Sequence, residues 1–351
     1  MKRWIYLLLG MIANLAQGVA YASSVICVPM MEMVGVPADE AKVRFALIFT
    51  LSCCFLPIGM IAGGKLAAVS PRISIALGAV IYGAGLFASG YVRDYNTLCL
   101  TFGLMLSIGS GLAYGPIVAS AVRWFPDKRG LASGLVVSAL GFGPAWIAPF
   151  CAALLAEKFS IGTVLQILGV ITFAAIGLAS FIAPPPKNAA QAAADGANEV
   201  NWLQMLGSGR FYLLALLLFL GAVPGLMIIS GAKGIFEIFG GFSGATAAAL
   251  VGVLAAANAL GRFLWGAVSD KIGRINTVSV MFFISSLTMA ALPFAHSPAL
   301  LVGVIIVIGL TYGGYLGLFP SFCADAFGAK NMALNYAVLF IAFSIAALVG
   351  P

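Results

Sequence analysis

Apolar stretches of eighteen or more residues recur from one end of this chain to the other, and they decide what it can fold into. Eleven are recognisable, at about 5–30, 45–67, 72–92, 96–122, 130–155, 160–183, 211–232, 244–268, 274–295, 299–322 and 332–351. Each is long enough to cross roughly 30 Å of hydrocarbon. In lipid every backbone polar group needs an internal partner, so only helices or closed barrels can span it. Barrel strands alternate in polarity, whereas these runs are apolar throughout. The expected fold is an all-α integral membrane protein. Composition agrees, since charged residues are 8% of the 351, against about 25% in soluble domains. The first segment has no Ala-x-Ala-like cleavage site and runs too long for a signal h-region, so it is expected to be retained.

The net charge of +7 reads differently once the charges are placed. Twelve of the 18 basic residues, among them Lys2, Arg3, Lys65, Arg72, Arg123, Lys128, Arg129, Lys271 and Arg274, fall on one side of the expected topology. Five fall on the other: Lys42, Arg44, Arg93, Lys158 and Lys233. That excess puts the N-terminus in the cytoplasm. The charge reports orientation rather than a nucleic-acid partner. Six cysteines lie in or near the apolar runs without metal-ligand spacing. Neither a disulfide nor a metal is expected.

Two inner loops repeat at one offset. Gly64-Lys-Leu-Ala-Ala-Val-Ser-Pro-Arg72 and Gly266-Ala-Val-Ser-Asp-Lys-Ile-Gly-Arg274 lie 202 residues apart. Phe125 and Lys128 match Phe327 and Lys330 at the same shift. A shared offset in two places argues for two pseudo-repeated halves. The expected division is an N-terminal six-helix half at 1–183, a polar cytoplasmic linker at 184–205, and a C-terminal half at 206–351. Five helices fall in that second half, and a truncated chain lacking a twelfth helix is the favoured reading. Nothing else is long enough to form a soluble catalytic domain.

One charge stands inside an apolar run. Arg262 interrupts Gly244–Val268, and a guanidinium does not lose its proton at any accessible pH. At the centre of a membrane helix it costs about 2.5–3.5 kcal/mol even on lenient scales, so such a residue is by default functional. It lies eight residues before Asp270, roughly 12 Å above that loop and near the midplane. Asn258, one helical turn earlier, shares its face. The guanidinium fork suits a carboxylate because it can donate two parallel hydrogen bonds. Every Asp and Glu falls at an outer or inner end, so no acid offsets Arg262, and its missing anion is read as a substrate. The alternative is a structural arginine bonded to carbonyls or water.

Softer candidates surround it. Asn14, Gln17, Tyr21 and Ser24 step by three, four and three residues and make one polar stripe on the first helix. It faces either a pathway or a neighbouring helix. Tyr114, Tyr312 and Tyr315 could offer hydroxyls, although a membrane tyrosine often only packs. Repeats such as Gly309…Gly313…Gly317 allow close helix approach. Phosphate-loop and dinucleotide fingerprints are absent, and the sole histidine, His296, falls in an outer loop. Without a nucleophile–base pair at membrane depth, no enzyme and no cofactor are expected. The chain is expected to act as a monomer in lipid.

Gly266-x-x-Ser269-Asp270-Lys271-x-Gly273-Arg274 resembles the loop motif of the major facilitator superfamily. Its first copy is degenerate, with Ala68 at the aspartate position. Tyr114-Gly-Pro116, Arg123-Trp-Phe-Pro-Asp-Lys-Arg-Gly130-Leu-Ala-Ser-Gly134 and Tyr312-Gly-Gly314…Leu318-Phe-Pro320 resemble the oxalate/formate antiporter family, which is similar to bacterial monocarboxylate and lactate transporters. The resemblance covers essentially the whole chain. It implies organic-anion transport by alternating access, with Arg262 matching the helix-eight arginine that pairs with a carboxylate. It also implies that Gly266, Asp270, Lys271, Gly273 and Arg274, with Arg123, Asp127 and Arg129, form an inner-face network stabilising an outward-facing state. Oxalate carriers of the family bear a lysine in helix eleven, where Phe343 stands here. One fixed cation fits a monocarboxylate such as lactate, pyruvate or formate. The alternatives are oxalate/formate exchange and an inactive truncated carrier.

Overall fold

The structure, a computed structural model, describes residues 2–21, 23–182 and 199–350. No strand occurs among them. The helices are α1 (Lys2–Ala16), α2 (Ser23–Met33), α3 (Ala41–Val69), α4 (Pro71–Ser89), α5 (Tyr95–Leu98), α6 (Leu106–Trp124), α7 (Arg129–Ala156) and α8 (Ile161–Ala179). They continue as α9 (Trp202–Leu206), α10 (Gly209–Ile238), α11 (Gly244–Ile272), α12 (Arg274–Ala291), α13 (Pro298–Phe327) and α14 (Met332–Val349). Among the described residues, ten helical segments are long and apolar enough to cross a membrane.

The first expected span is the one that differs. Residues 5–30 form α1 and α2, with a 3₁₀ turn at Gln17–Tyr21 after α1. α5 and α6 make one span through a π-helical stretch at Cys99–Met105. That widened turn has local partners: Ser107 donates to the Gly103 carbonyl at 2.6 Å and Ser52 of α3 to the same oxygen at 3.2 Å. Such hydroxyls satisfy a carbonyl that regular i→i+4 bonding leaves displaced.

The 184–205 stretch falls largely outside the described residues. Its described end is ordered. Asn201 accepts from the Gln204 amide at 2.9 Å and Gln204 accepts from the Asn201 amide at 3.0 Å, a reciprocal capping box that starts α9.

Contacts divide the chain into two compact units. The first comprises Met1–Ser120, Phe142–Pro186 and Asn331–Val338. Within it, Ser74 of α4 donates to the Leu112 carbonyl of α6 at 2.7 Å, and its oxygen lies 3.1 Å from the Gly63 carbonyl of α3. A Cβ at Gly63 would lie 2.8 Å from the Leu112 Cα, so α3 and α6 meet backbone to backbone.

The second unit comprises Ala121–Gly141, Lys187–Lys330 and Leu339–Pro351. Thus the end of α6 and the first half of α7 pack with residues from much later in the sequence. Its centre is the α11–α13 contact, where Gly261 meets the Leu310 carbonyl, Gly313 the Asn258 carbonyl and Gly317 the Arg262 carbonyl. Gly309, Gly313 and Gly317 are spaced four apart and form one face of α13, which brings that helix within backbone contact of α11.

Candidate functional site

Close approach of α11 and α13 fixes Arg262 from behind, since its own carbonyl is held against Gly317. Its side chain is turned toward the first half of α7. Nε donates to Asn258 Oδ1 at 3.1 Å and Nη1 to the Val137 carbonyl at 3.0 Å. The residue is 4% exposed. A Cβ on Gly141 would stand 3.3 Å from the guanidinium carbon, and one on Gly134 would stand 2.5 Å from the Arg262 carbonyl. Gly134, Val137 and Gly141 therefore make one stripe of α7 packed closely along the arginine, because two of the three lack side chains.

Both acceptors of Arg262 are neutral, and no ion pair to it occurs among the described residues. Two of five guanidinium N–H groups are used, and Nη2 makes no hydrogen bond among the described residues. A buried guanidinium with unused donors and no counter-charge among the described residues has the donors to pair with an anion.

The other expected site residues are distributed unevenly. Tyr312 is buried with its ring over Gly225 of α10, and Tyr315 is fully buried against Gly221 of α10 and Phe282 of α12, ring centroids 5.2 Å apart. Both rings pack against α10, while Gly313 and Gly317 turn toward α11. The Tyr315 hydroxyl is buried and makes no hydrogen bond among the described residues; Ser285 donates to Thr311 at 3.0 Å.

In the first unit, Gln17 gathers a separate polar cluster. Its Nε2 donates to Asn14 Oδ1 at 3.0 Å and to the Ala13 carbonyl at 3.3 Å, and its Oε1 accepts from Ser110 at 2.7 Å. Tyr82 donates to the Gln17 carbonyl at 2.9 Å, where the 3₁₀ turn begins. Asn14, Gln17 and Tyr114 are all buried. The side chain of Tyr21 lies outside the described residues.

At the far end of α11 a charge network assembles. Asp270 accepts from the Gly130 and Leu131 amides of α7, each at 2.8 Å, and pairs with Arg274 at 2.8 Å. A carboxylate there meets the positive end of the α7 dipole. Arg274 also donates to Ser269. Asp325 of α13 then joins Arg274 and Arg129, at 2.7 Å each. Gly273 has φ +87°, which favours glycine at the α11–α12 turn. Lys271 and Asp127 are exposed. Asp325 had no sequence signature as a network member, because its partners lie 196 and 51 residues away. Asp325→Asn keeps the size and removes a charge shared by two arginines. We expect it to lower stability by about 1–3 kcal/mol, between the exposed and buried limits. Thermal unfolding of the detergent-purified protein checks this; an unchanged midpoint would mean solvent screening has cancelled the pair.

Among the described residues, ten apolar spans, close glycine packing and a buried arginine without an ion pair describe a multi-pass membrane protein. Residues 7–351 match the sequence model of the Major Facilitator Superfamily, and the chain belongs to that superfamily. It is 27% identical to the MFS-type transporter YhjX of Escherichia coli (strain K12), over 99% of this chain and 86% of that one. It is 29% identical to the oxalate:formate antiporter of Oxalobacter formigenes, over 99% of this chain and 83% of the relative. Among solved structures, the proton:xylose symporter XylE superposes with a TM-score of 0.73 at 15% identity, covering 99% of this chain and 88% of that one. The human organic anion transporter MFSD10 superposes with a TM-score of 0.73 at 13% identity, covering 98% and 92%. These structural likenesses show the shared fold.

Proposed function

We propose that the protein is a secondary carrier of small organic anions, that its substrate is a monocarboxylate of the lactate, pyruvate or formate class, and that Arg262 is the counter-charge for the carboxylate. The observation that carries this reading is the state of Arg262: buried, permanently charged, and hydrogen-bonded only to neutral acceptors. Burial of an unpaired charge is expensive unless an anion visits it. Asn258 then holds the guanidinium plane, leaving the Nη2 edge to the substrate.

The relatives support the same class. One is named an oxalate:formate antiporter, and another, 24% identical over 86% of this chain, is monocarboxylate transporter 12 of Homo sapiens. The first of these favours a second reading, exchange of oxalate for formate. The Phe343 position weighs against a dianion, because it leaves Arg262 without a second cation there. The basic-residue asymmetry supports a cytoplasmic N-terminus in a bacterial inner membrane.

The test is counterflow of labelled lactate into proteoliposomes, with a panel of unlabelled carboxylates as competitors and with and without a pH gradient. Competition by monocarboxylates well ahead of oxalate is the expected result. Accumulation driven by external acid would identify proton symport, and strict dependence on internal anion would identify exchange. If no monocarboxylate exchanges or competes, the substrate assignment is wrong.

A further inference from the structure

Arg262 is closed off by the helix that its side chain faces. It is buried, and α7 lies so near that a Cβ on Gly141 would stand 3.3 Å from the guanidinium carbon. Nε is committed to Asn258 Oδ1 and Nη1 to the Val137 carbonyl. A carboxylate pairs best with a guanidinium through two parallel N–H groups. With Nε in use, the parallel pair that remains is Nη1 and Nη2, and Nη1 is the donor that holds α7. The Val137 carbonyl is an acceptor that can let go. In helix geometry it also accepts from the Gly141 amide, four residues on. The arginine therefore occupies its second lone pair, and losing that bond strands no backbone group. Just beyond, Gly141-Phe142-Gly143-Pro144 weakens α7, because glycine lowers helix propensity and Pro144 has no N–H for the Leu140 carbonyl. The start of α7 has separate ties. Asp270 accepts from the Gly130 and Leu131 amides at 2.8 Å each, and Ser133 donates to the Gly317 carbonyl at 2.8 Å.

We infer that the substrate carboxylate and α7 compete for Arg262. The carboxylate takes Nη1 from the Val137 carbonyl, and residues 134–141 of α7 come loose from α11 while 130–133 stay clasped. The trade runs downhill, since a hydrogen bond to an ionised acceptor is roughly twice as strong as one to a neutral acceptor. This rests on the reading of Arg262 as the counter-charge for a carboxylate. It adds a regulation of that site: occupancy sets how firmly α11 holds α7.

Hydrogen exchange of the full chain in lipid nanodiscs, read on peptides covering residues 129–141, tests it with sodium lactate, pyruvate and formate, whose binding is first titrated by calorimetry. A ligand that rigidified its site would slow exchange. Here a bound monocarboxylate is expected to speed it at 134–141 by about tenfold, the factor for one hydrogen bond to a charged group. Residues 129–133 are expected to stay unchanged. Arg262→Gln keeps a donor near Asn258 and loses the one to Val137. It is expected to show the same acceleration without any carboxylate, and no more when one is added. Peptides from α8 are the folding control, and acceleration shared with them counts against the trade. A bound carboxylate that slows 134–141 or leaves it unchanged, an Arg262→Gln variant that exchanges like the wild type, or a response to carboxylate that survives in that variant overturns the competition and leaves the substrate role of Arg262 standing. If none of the three carboxylates binds, the monocarboxylate reading fails and the competition fails with it.

Discussion

Replacing Arg262 with alanine is expected to lower transport of a monocarboxylate at subsaturating concentration by about 10- to 100-fold, while the protein still folds. A hydrogen-bonded charged group contributes about 1.5–3 kcal/mol, which is that factor in binding. Arg262→Lys is not expected to restore the rate. A lysine offers a point charge without the planar fork, and it carries a methylene where Nε donates to Asn258 Oδ1 at 3.1 Å in the native protein. Arg262→Gln separates the two roles open to the arginine. Glutamine places its amide nitrogen near the Nε position, so it keeps a donor for Asn258 Oδ1, 3.1 Å from Nε, but has no charge to offer. If the arginine acted only as a neutral donor to Asn258, glutamine would recover transport. Uptake by proteoliposomes, compared at equal protein and with melting temperatures in hand, decides it; wild-type uptake by Arg262→Ala would falsify the substrate role.

Arg262 could be found in the sequence because a permanent charge inside an apolar run has few bland explanations. Its main partner could not, since a backbone carbonyl carries no residue identity, and Val137 is 125 positions away. The same limit hid Asp325, an acid at a helix end like any other until the chain folds. The apolar runs gave the spans because each needs only its own residues to satisfy lipid. The break at Gln17–Tyr21 is different: hydropathy continues across it, and only the polar step of Asn14 and Gln17 hinted at a special site. The Asn201–Gln204 capping box was plainly written, but the polar composition just before it argued for loop. Gly309, Gly313 and Gly317 were legible as a close-approach face, though the partner they meet required coordinates.

That face carries the other large effect. A Cβ placed on Gly317 would collide with the Arg262 carbonyl and lie 2.7 Å from its Cα, both of them backbone atoms with no rotamer to yield. Gly317→Ala must therefore push α13 away from α11. Overpacking of this kind costs about 1–3 kcal/mol. The shift reaches further, because Ser133 of α7 donates to the Gly317 carbonyl at 2.8 Å and Val137, one turn on, holds the guanidinium. Displacing a positioned group by about 1 Å can cost on the order of 100-fold in catalysis, and the proposed carboxylate site rests on positioning of the same kind. We expect Gly317→Ala to melt lower and to lose at least about tenfold in transport. Gly303 is the internal control: it lies on the same helix with nothing within 4 Å of its would-be Cβ. Gly303→Ala is expected to be silent in both assays. Equal behaviour of the two variants would mean that helix propensity, rather than the α11–α13 contact, sets the response, and the coupling from Gly317 through Arg262 to α7 would fall.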